Sequence, residues 1–339
     1  MSRKRRARRF ISRGHSRMVH QGSHLPGISL AAAAAAIWGV SFVIPSLLME
    51  WSPLEITLSR YFVYGLVSSM VFLRCRKQFA PLTSREWLRA ASLAFTGFFM
   101  AYLLLTASIQ EIGPAVPTLL MGATPVCVAL FGNLIRREFP FTRLMPPLAA
   151  IFIGLLVVNL DRYGLSVQAE AAVSGRVGGM ALGLLEALAS LAVLTWYFVD
   201  NLVFLRNHPH VSPLQWSCAL GLLLGLISLT CLPLALLAGS GAEVAGRALL
   251  PFVLASLVLG IGSSWLGGIM WNRACGLLPG SLAGQMIVFW PISGLVLTYL
   301  VESRLPTPAE ALGAAMALGG VFLGVRATSR PVAARHEPA

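Results

Sequence analysis

Ten times along this chain the sequence passes through a run of apolar residues long enough to cross a bilayer as a helix. The runs cover 28–49, 54–73, 88–109, 115–135, 144–160, 177–199, 214–237, 249–270, 280–301 and 309–325. A hydrocarbon core about 30 Å thick needs roughly 20 such residues per helix. The only other spanning structure, a closed barrel, would show alternating residues instead. Charged residues make up 12% of the chain, about half of what a soluble protein needs to coat its surface. The sequence therefore predicts an all-α integral membrane protein with ten transmembrane helices.

The longest internal polar segment, 161–176, divides the runs five and five. The expected organisation is a basic tail (1–27), a five-helix unit (28–160), an external linker (161–176), a second five-helix unit (177–326) and a short tail (327–339). Of the 26 Lys and Arg residues, 21 fall on the side of the N-terminus and 4 on the other, with Arg60 inside the second run. By the positive-inside rule this asymmetry predicts that both termini are cytoplasmic. It also accounts for the net charge of +13 without nucleic acid, since the basic tail has no acidic residue and little aromatic interleaving.

The two units echo one another. Ser52-Pro53-Leu54 opens the second run and Ser212-Pro213-Leu214 the seventh; Trp38 and Trp196 sit in the first and sixth; Pro125 and Pro291 lie in the fourth and ninth. Five is odd, so the second unit enters the membrane from the opposite side. The expected architecture is two inverted five-helix repeats, from which many transporters are built.

Several stretches resemble the EamA-type transporters of the drug/metabolite transporter superfamily. They are Ile37-Trp38-Gly39-Val40-Ser41-Phe42-Val43, Leu58-Ser59-Arg60-Tyr61-Phe62, and Ala107–Thr118 followed by Pro125 and Glu138. Near the C-terminus, Pro291, Glu302-Ser303-Arg304-Leu305-Pro306 and the Gly313–Val325 run complete the pattern. The glutamate follows its proline by 13 residues in the first unit and by 11 in the second, so Glu302 is not given the role of Glu138. The resemblance implies a secondary active transporter in the inner membrane, exporting amino acids or related small metabolites by alternating access. A multidrug exporter of lipophilic cations is the alternative, and a non-transporting membrane scaffold the alternative of another class. No cofactor or metal motif and no enzyme motif stands out; the partners expected are a small-molecule substrate, protons and the bilayer.

Transporters bind substrate near the midplane, where broken helices and a few polar groups meet. The candidate substrate-binding residues are Trp38, Tyr102, Thr106, Glu186, Trp265, Gln285 and Phe289. The aromatic members serve equally well as core packing, and Trp271 reads as an interfacial aromatic. Pro125 and Pro291 are candidate structural or gating residues, together with Arg60, whose charge lies inside a helix. The run Leu259–Gly268 is a candidate helix break or a close-packing surface. Glu186, about ten residues into its run, is expected near the midplane, where a carboxylate either couples to protons or substrate or pairs with Arg60. Small multidrug transporters resemble it in carrying a glutamate in a first helix. Asp200, near the end of the same run, is expected to be solvated.

Overall fold

The computed structural model of the protein describes residues 25–136, 142, 145–147, 149–154, 156–157, 177–238, 248–278, 283, 286–287 and 289–329. Gln285, Glu138 and the linker 161–176 lie outside the described residues. Every regular element among those described is a helix. In chain order they are α1 (Leu25–Leu47), α2 (Pro53–Cys75), α3 (Ser84–Ile112), α4 (Ala115–Met121), α5 (Thr124–Arg136) and α6 (Met145–Gly154). They continue with α7 (Val177–Asn207), α8 (Pro213–Ala238), α9 (Leu249–Leu277), α10 (Phe289–Val301) and α11 (Pro308–Ser329). Six of them, α1, α2, α3, α7, α8 and α9, contain stretches long and apolar enough to cross a membrane.

The hinge sequences set where the helices begin. Ser52, Thr83 and Thr307 each accept from the backbone N–H three residues on, while Glu55, Glu86 and Glu310 bond back to the capping residue's own N–H. Each reciprocal pair satisfies two backbone donors that the first turn leaves orphaned. Pro53, Pro213 and Pro308 occupy the first position of their helices, where no N–H is needed and φ is already helical. At the last hinge Arg304 also pairs with Glu302 and Glu310, each at 2.6 Å. Its hydrogen bond to Glu310 holds its pKa above the usual arginine value.

The predicted single crossing at 115–135 is two helices, α4 and α5, parted at Gly122-Ala123. A proline inside a helix loses a hydrogen bond and clashes with the preceding turn. The break moves Pro125 into the first turn of α5, and Pro291 likewise stands in the first turn of α10. α7 departs in the other direction. Its 31 residues run on past Val199 to Asn207, because Phe198, Asn201 and Phe204 are all buried against neighbouring helices. Asp200 is accordingly buried, not solvated, and pairs with Arg89 of α3.

Packing is closest where α2 crosses α8. A methyl group on Gly65 would lie 2.4 Å from the Gly225 Cα, so the two backbones touch, as small residues allow in lipid. Around this crossing α1 packs on α9 and α10, α7 on α3 and α5, and α2 on the middle of α9. The small-residue face of α11 meets α6: Gly154 lies against Gly313 and Ala317, and Gly320 against Pro147 and Ile151. Leu66 and Met70 of α2, Leu185 and Leu188 of α7, and Leu226 and Leu229 of α8 point away from the interior. An apolar surface of this extent requires lipid around it.

Two helices change their winding midway. At Ala94–Met100 in α3 and Val258–Leu266 in α9 the α-helix opens into a π-helix. This wider winding inserts extra residues into a turn and recurs at functional sites. Both segments face the same interior space.

Candidate substrate site

Arg60 projects from α2 towards α1 and α9, and 6% of its surface is exposed. Its guanidinium is held by three serines: Nε donates to Ser264 Oγ at 2.8 Å, Nη1 to Ser41 Oγ at 3.1 Å and Nη2 to Ser263 Oγ at 3.1 Å. The Ser41 and Ser263 hydroxyls are 2.9 Å apart, and Trp38 Nε1 donates to the Ser263 carbonyl at 2.9 Å. The guanidinium carbon lies 3.9 Å from the Tyr102 ring centroid and 5.4 Å from that of Tyr61. A desolvated cation gains from the negative face of an aromatic ring. No carboxylate among the described residues pairs with Arg60, so the ion pair with Glu186 weighed from the sequence is not formed.

Beside the guanidinium opens a cavity of about 70 Å³, large enough for a few waters or a small organic group. Helices α1, α2, α3, α7, α9 and α10 all contribute to its wall. Apart from Arg60 and three serines, that wall is mainly aromatic: Trp38, Tyr61, Phe98, Tyr102, Tyr197, Phe198 and Trp290. Tyr61 is oriented by its hydroxyl, which donates to the Phe98 carbonyl at 2.8 Å, and Trp290 by Nε1, which donates to the Trp38 carbonyl at 3.2 Å. Tyr197 fits against Gly97, where an added methyl would lie 2.4 Å from Tyr197 Cβ. The two π-helical segments thus supply different parts of one wall, Gly97 and Phe98 from α3 and Ser263 and Ser264 from α9.

The structure brings together Trp38, Arg60 and Tyr102. Tyr102 is buried with a hydroxyl that makes no hydrogen bond. Thr106, one turn along α3, is buried and off the cavity wall, and its hydroxyl also lacks a partner. Trp265 follows the cavity-lining Ser264 without lining the cavity, and its indole N–H is buried and unbonded. Phe289 lies on the outer face of α10 with 42% of its surface exposed, whereas its neighbour Trp290 turns inward. Pro125 and Pro291 are buried at the starts of α5 and α10 and do not line the cavity.

Glu186 stands apart from this group. Because α7 is longer than its apolar run, Glu186 lies in the first third of the helix, not at its middle. One carboxylate oxygen is buried without a hydrogen-bond partner, and its charged neighbour is Glu111 at the end of α3. Trp271 is not an interfacial aromatic: it is buried, with its ring 5.5 Å from that of Trp38.

Sequence reasoning missed the three serines and most of the α3 and α7 wall. Ser263 and Ser264 did carry a signal, since they sit inside the glycine-rich run that was open to a helix-break reading. Phe98 and Tyr197 carried none, being aromatic residues within long apolar runs.

The model of the EamA-like transporter family matches residues 25–160. The Inner membrane protein YtfF of Escherichia coli (strain K12) is 29% identical over 314 residues, 89% of this chain and 96% of that protein. The Uncharacterized transporter YetK of Bacillus subtilis (strain 168) is 23% identical over 305 residues, 90% of this chain and 88% of that protein. A solved crystal structure shares the fold with a TM-score of 0.61 at 17% identity, over 90% of this chain and 99% of that one. With its membrane-length helices and this match over 25–160, the chain is a multi-pass membrane protein whose residues 25–160 are similar to the EamA-like transporter family.

Proposed function

We propose that the protein is a secondary active exporter of small organic metabolites in the inner membrane, amino acids and related compounds foremost, working by alternating access. The observation that carries this reading is the central cavity. Three of its walls come from the N-terminal half (α1, α2, α3) and three from the C-terminal half (α7, α9, α10). A site held between two halves is exposed to one side or the other as the halves rock. A scaffold would have no use for such a cavity or for a charge buried beside it, because intramembrane charges are costly to keep.

The proposed framework is ten helices in two inverted five-helix units with both termini cytoplasmic. The helix pairings support it. The first long helix of each half packs on the third and fourth crossings of the other: α1 on α9 and α10, α7 on α3 and α5. The second crossings, α2 and α8, pack on each other, and the third of each half is the one that winds into a π-helix. Reporters fused after Arg330 and within 74–85 are expected to be cytoplasmic, and one within 161–176 external. An external C-terminus would remove the inverted arrangement.

Protons are the proposed coupling ion, with Glu186 as the carrier. The support is its buried, unbonded oxygen within a membrane-length helix, where a carboxylate is costly and rarely idle. The Glu186→Gln protein is expected to bind substrate and fold but to lose the dependence of transport on a pH gradient. Gradient-dependent transport at the wild-type level in that variant would take Glu186 out of the mechanism. The test of the function itself is overexpression in cells stressed by single excess metabolites. Protection against a narrow set fits the reading, protection against diverse lipophilic cations fits a drug exporter, and no protection fits neither.

A further inference from the structure

We propose that the cavity selects substrates that carry a carboxylate, and that Arg60 is the residue that binds that carboxylate, with Tyr102 completing the site. This rests on the exporter reading above and narrows its substrate class. It also separates the two transporter readings, because a carboxylate-selective cavity would reject lipophilic cations.

A guanidinium has five N–H groups in a fixed planar fork and no acceptor. Nε–H and one N–H on each Nη are taken by Ser264, Ser41 and Ser263. Ser41 and Ser263, whose hydroxyls are 2.9 Å apart, take the parallel end-on pair. One N–H on each terminal nitrogen is left, on opposite edges of the fork, and each can donate a charge-assisted bond to a carboxylate oxygen. The serine hydroxyls orient the fork but carry no charge to neutralise it.

The charge balance of the wall leads to the same conclusion. Among its described lining residues Arg60 is the sole charged group, and none is a carboxylate. A desolvated cation without a counter-charge is costly, and the aromatic face of Tyr102 at 3.9 Å offsets only part of that cost. A substrate anion would supply the missing charge. A cationic substrate would meet like-charge repulsion in a low-dielectric site, where it is screened least.

Tyr102 provides a second sign of an absent ligand. Its side chain is buried to about nineteen parts in twenty, lines the cavity, and has a hydroxyl that forms no hydrogen bond of normal geometry, with Arg60 and Thr106 beside it. Buried hydroxyls are rarely left unpaired without a functional reason. An oxygen of a bound carboxylate, gripped by Arg60 beside the same ring, would accept from it. The rest of the ligand would then lie between Trp38, Phe98, Tyr197 and Phe198, which suits a compact apolar or aromatic group.

The experiment uses the full-length protein in lipid nanodiscs and three ligands of matched shape and different charge: phenylacetate, phenylacetamide and phenethylamine. Binding is read by tryptophan fluorescence, since Trp38 and Trp290 face the cavity. The wild type is expected to bind phenylacetate at least about tenfold more tightly than either of the others, the discrimination of one charged contact. Arg60→Gln is expected to bring phenylacetate to the level of phenylacetamide, and Arg60→Lys to restore the preference in part, because an ammonium keeps the charge and loses the fork. The wild-type comparison stands even if the Arg60 variants fail to fold. Equal or tighter binding of phenethylamine, binding of none of the three, or an undiminished phenylacetate preference in Arg60→Gln would each overturn the proposal. The exporter reading is read separately, in the growth assay. Export of a narrow set of metabolites together with no carboxylate preference would sink this inference alone, whereas no export of any metabolite would sink the parent reading.

Discussion

The π-helical middles of α3 and α9 have the same kind of winding and opposite chemistry. Ala94–Met100 is bulky and aromatic, and it meets α7 through the fit of Tyr197 against Gly97. Val258–Leu266 is small and hydroxylic at its centre, and it meets α2 through Ser263 and Ser264 on the Arg60 guanidinium. In each, widening the turn brings neighbouring residues onto the cavity wall together. One pair forms an apolar surface and the other holds a charge in place. A binding site that needs both a shape and a charge can thus be made from two similar helices by changing a few side chains.

The largest effect is expected on the α9 side. Replacing Ser263 and Ser264 together by alanine leaves two Arg60 donors without their acceptors. Each such buried group costs about 1–3 kcal/mol, so the double variant is expected to unfold several degrees lower and to lose most of its transport. An unchanged melting temperature in detergent or nanodiscs would mean that Arg60 is held by something other than the serines.

A direct contrast between the segments comes from one substitution made in both. An alanine methyl at Gly97 would lie 2.4 Å from Tyr197 Cβ, whereas at Gly262 its nearest neighbour is Ile37 Cγ2 at 3.9 Å. Gly97→Ala is expected to destabilise by about 1–3 kcal/mol, the range for overpacking. Gly262→Ala is expected to stay within about 0.5 kcal/mol of wild type. Equal melting shifts would show that α3 and α7 separate more easily than their contact suggests.

Tyr102→Phe gives the smallest change in stability. The hydroxyl has no hydrogen bond of normal geometry to lose, so removing it is expected to leave the melting temperature unchanged or slightly raised. Affinity for a carboxylate ligand should fall all the same, by a few-fold. A variant that loses stability and keeps its affinity would make the hydroxyl structural.

The membrane character and the family resemblance were legible because they depend on long-range repetition. Runs of about 20 apolar residues and the Ser-Pro and Thr-Pro hinges survive any uncertainty about individual contacts. Trp38, Arg60 and Tyr102 could be picked out as candidates because polar or aromatic groups stand out inside apolar runs. Their assembly could not be read, since the partners of Arg60 lie 19, 203 and 204 residues away. The π-helical winding was hidden for a similar reason. Residue order shows a glycine-rich run, but not whether the backbone uses it to widen a turn or to admit a neighbour. Phe289 and Trp290 illustrate the cost of adjacency: neighbours on a helix point about 100° apart, and only the second faces the cavity.

The claim that the cavity is the substrate site has a direct test in ligand-induced stabilisation. A metabolite panel would be screened against the wild-type protein in nanodiscs, since a ligand of the folded state raises its melting temperature by mass action. Any metabolite that stabilises the wild type would then be tested on Trp38→Ala, where the cavity loses one wall and Ser263 loses the indole donor bonded to its carbonyl. The account predicts a folded variant in which that shift is lost or reduced at least to about half. An equal shift in Trp38→Ala would contradict it and put the substrate elsewhere.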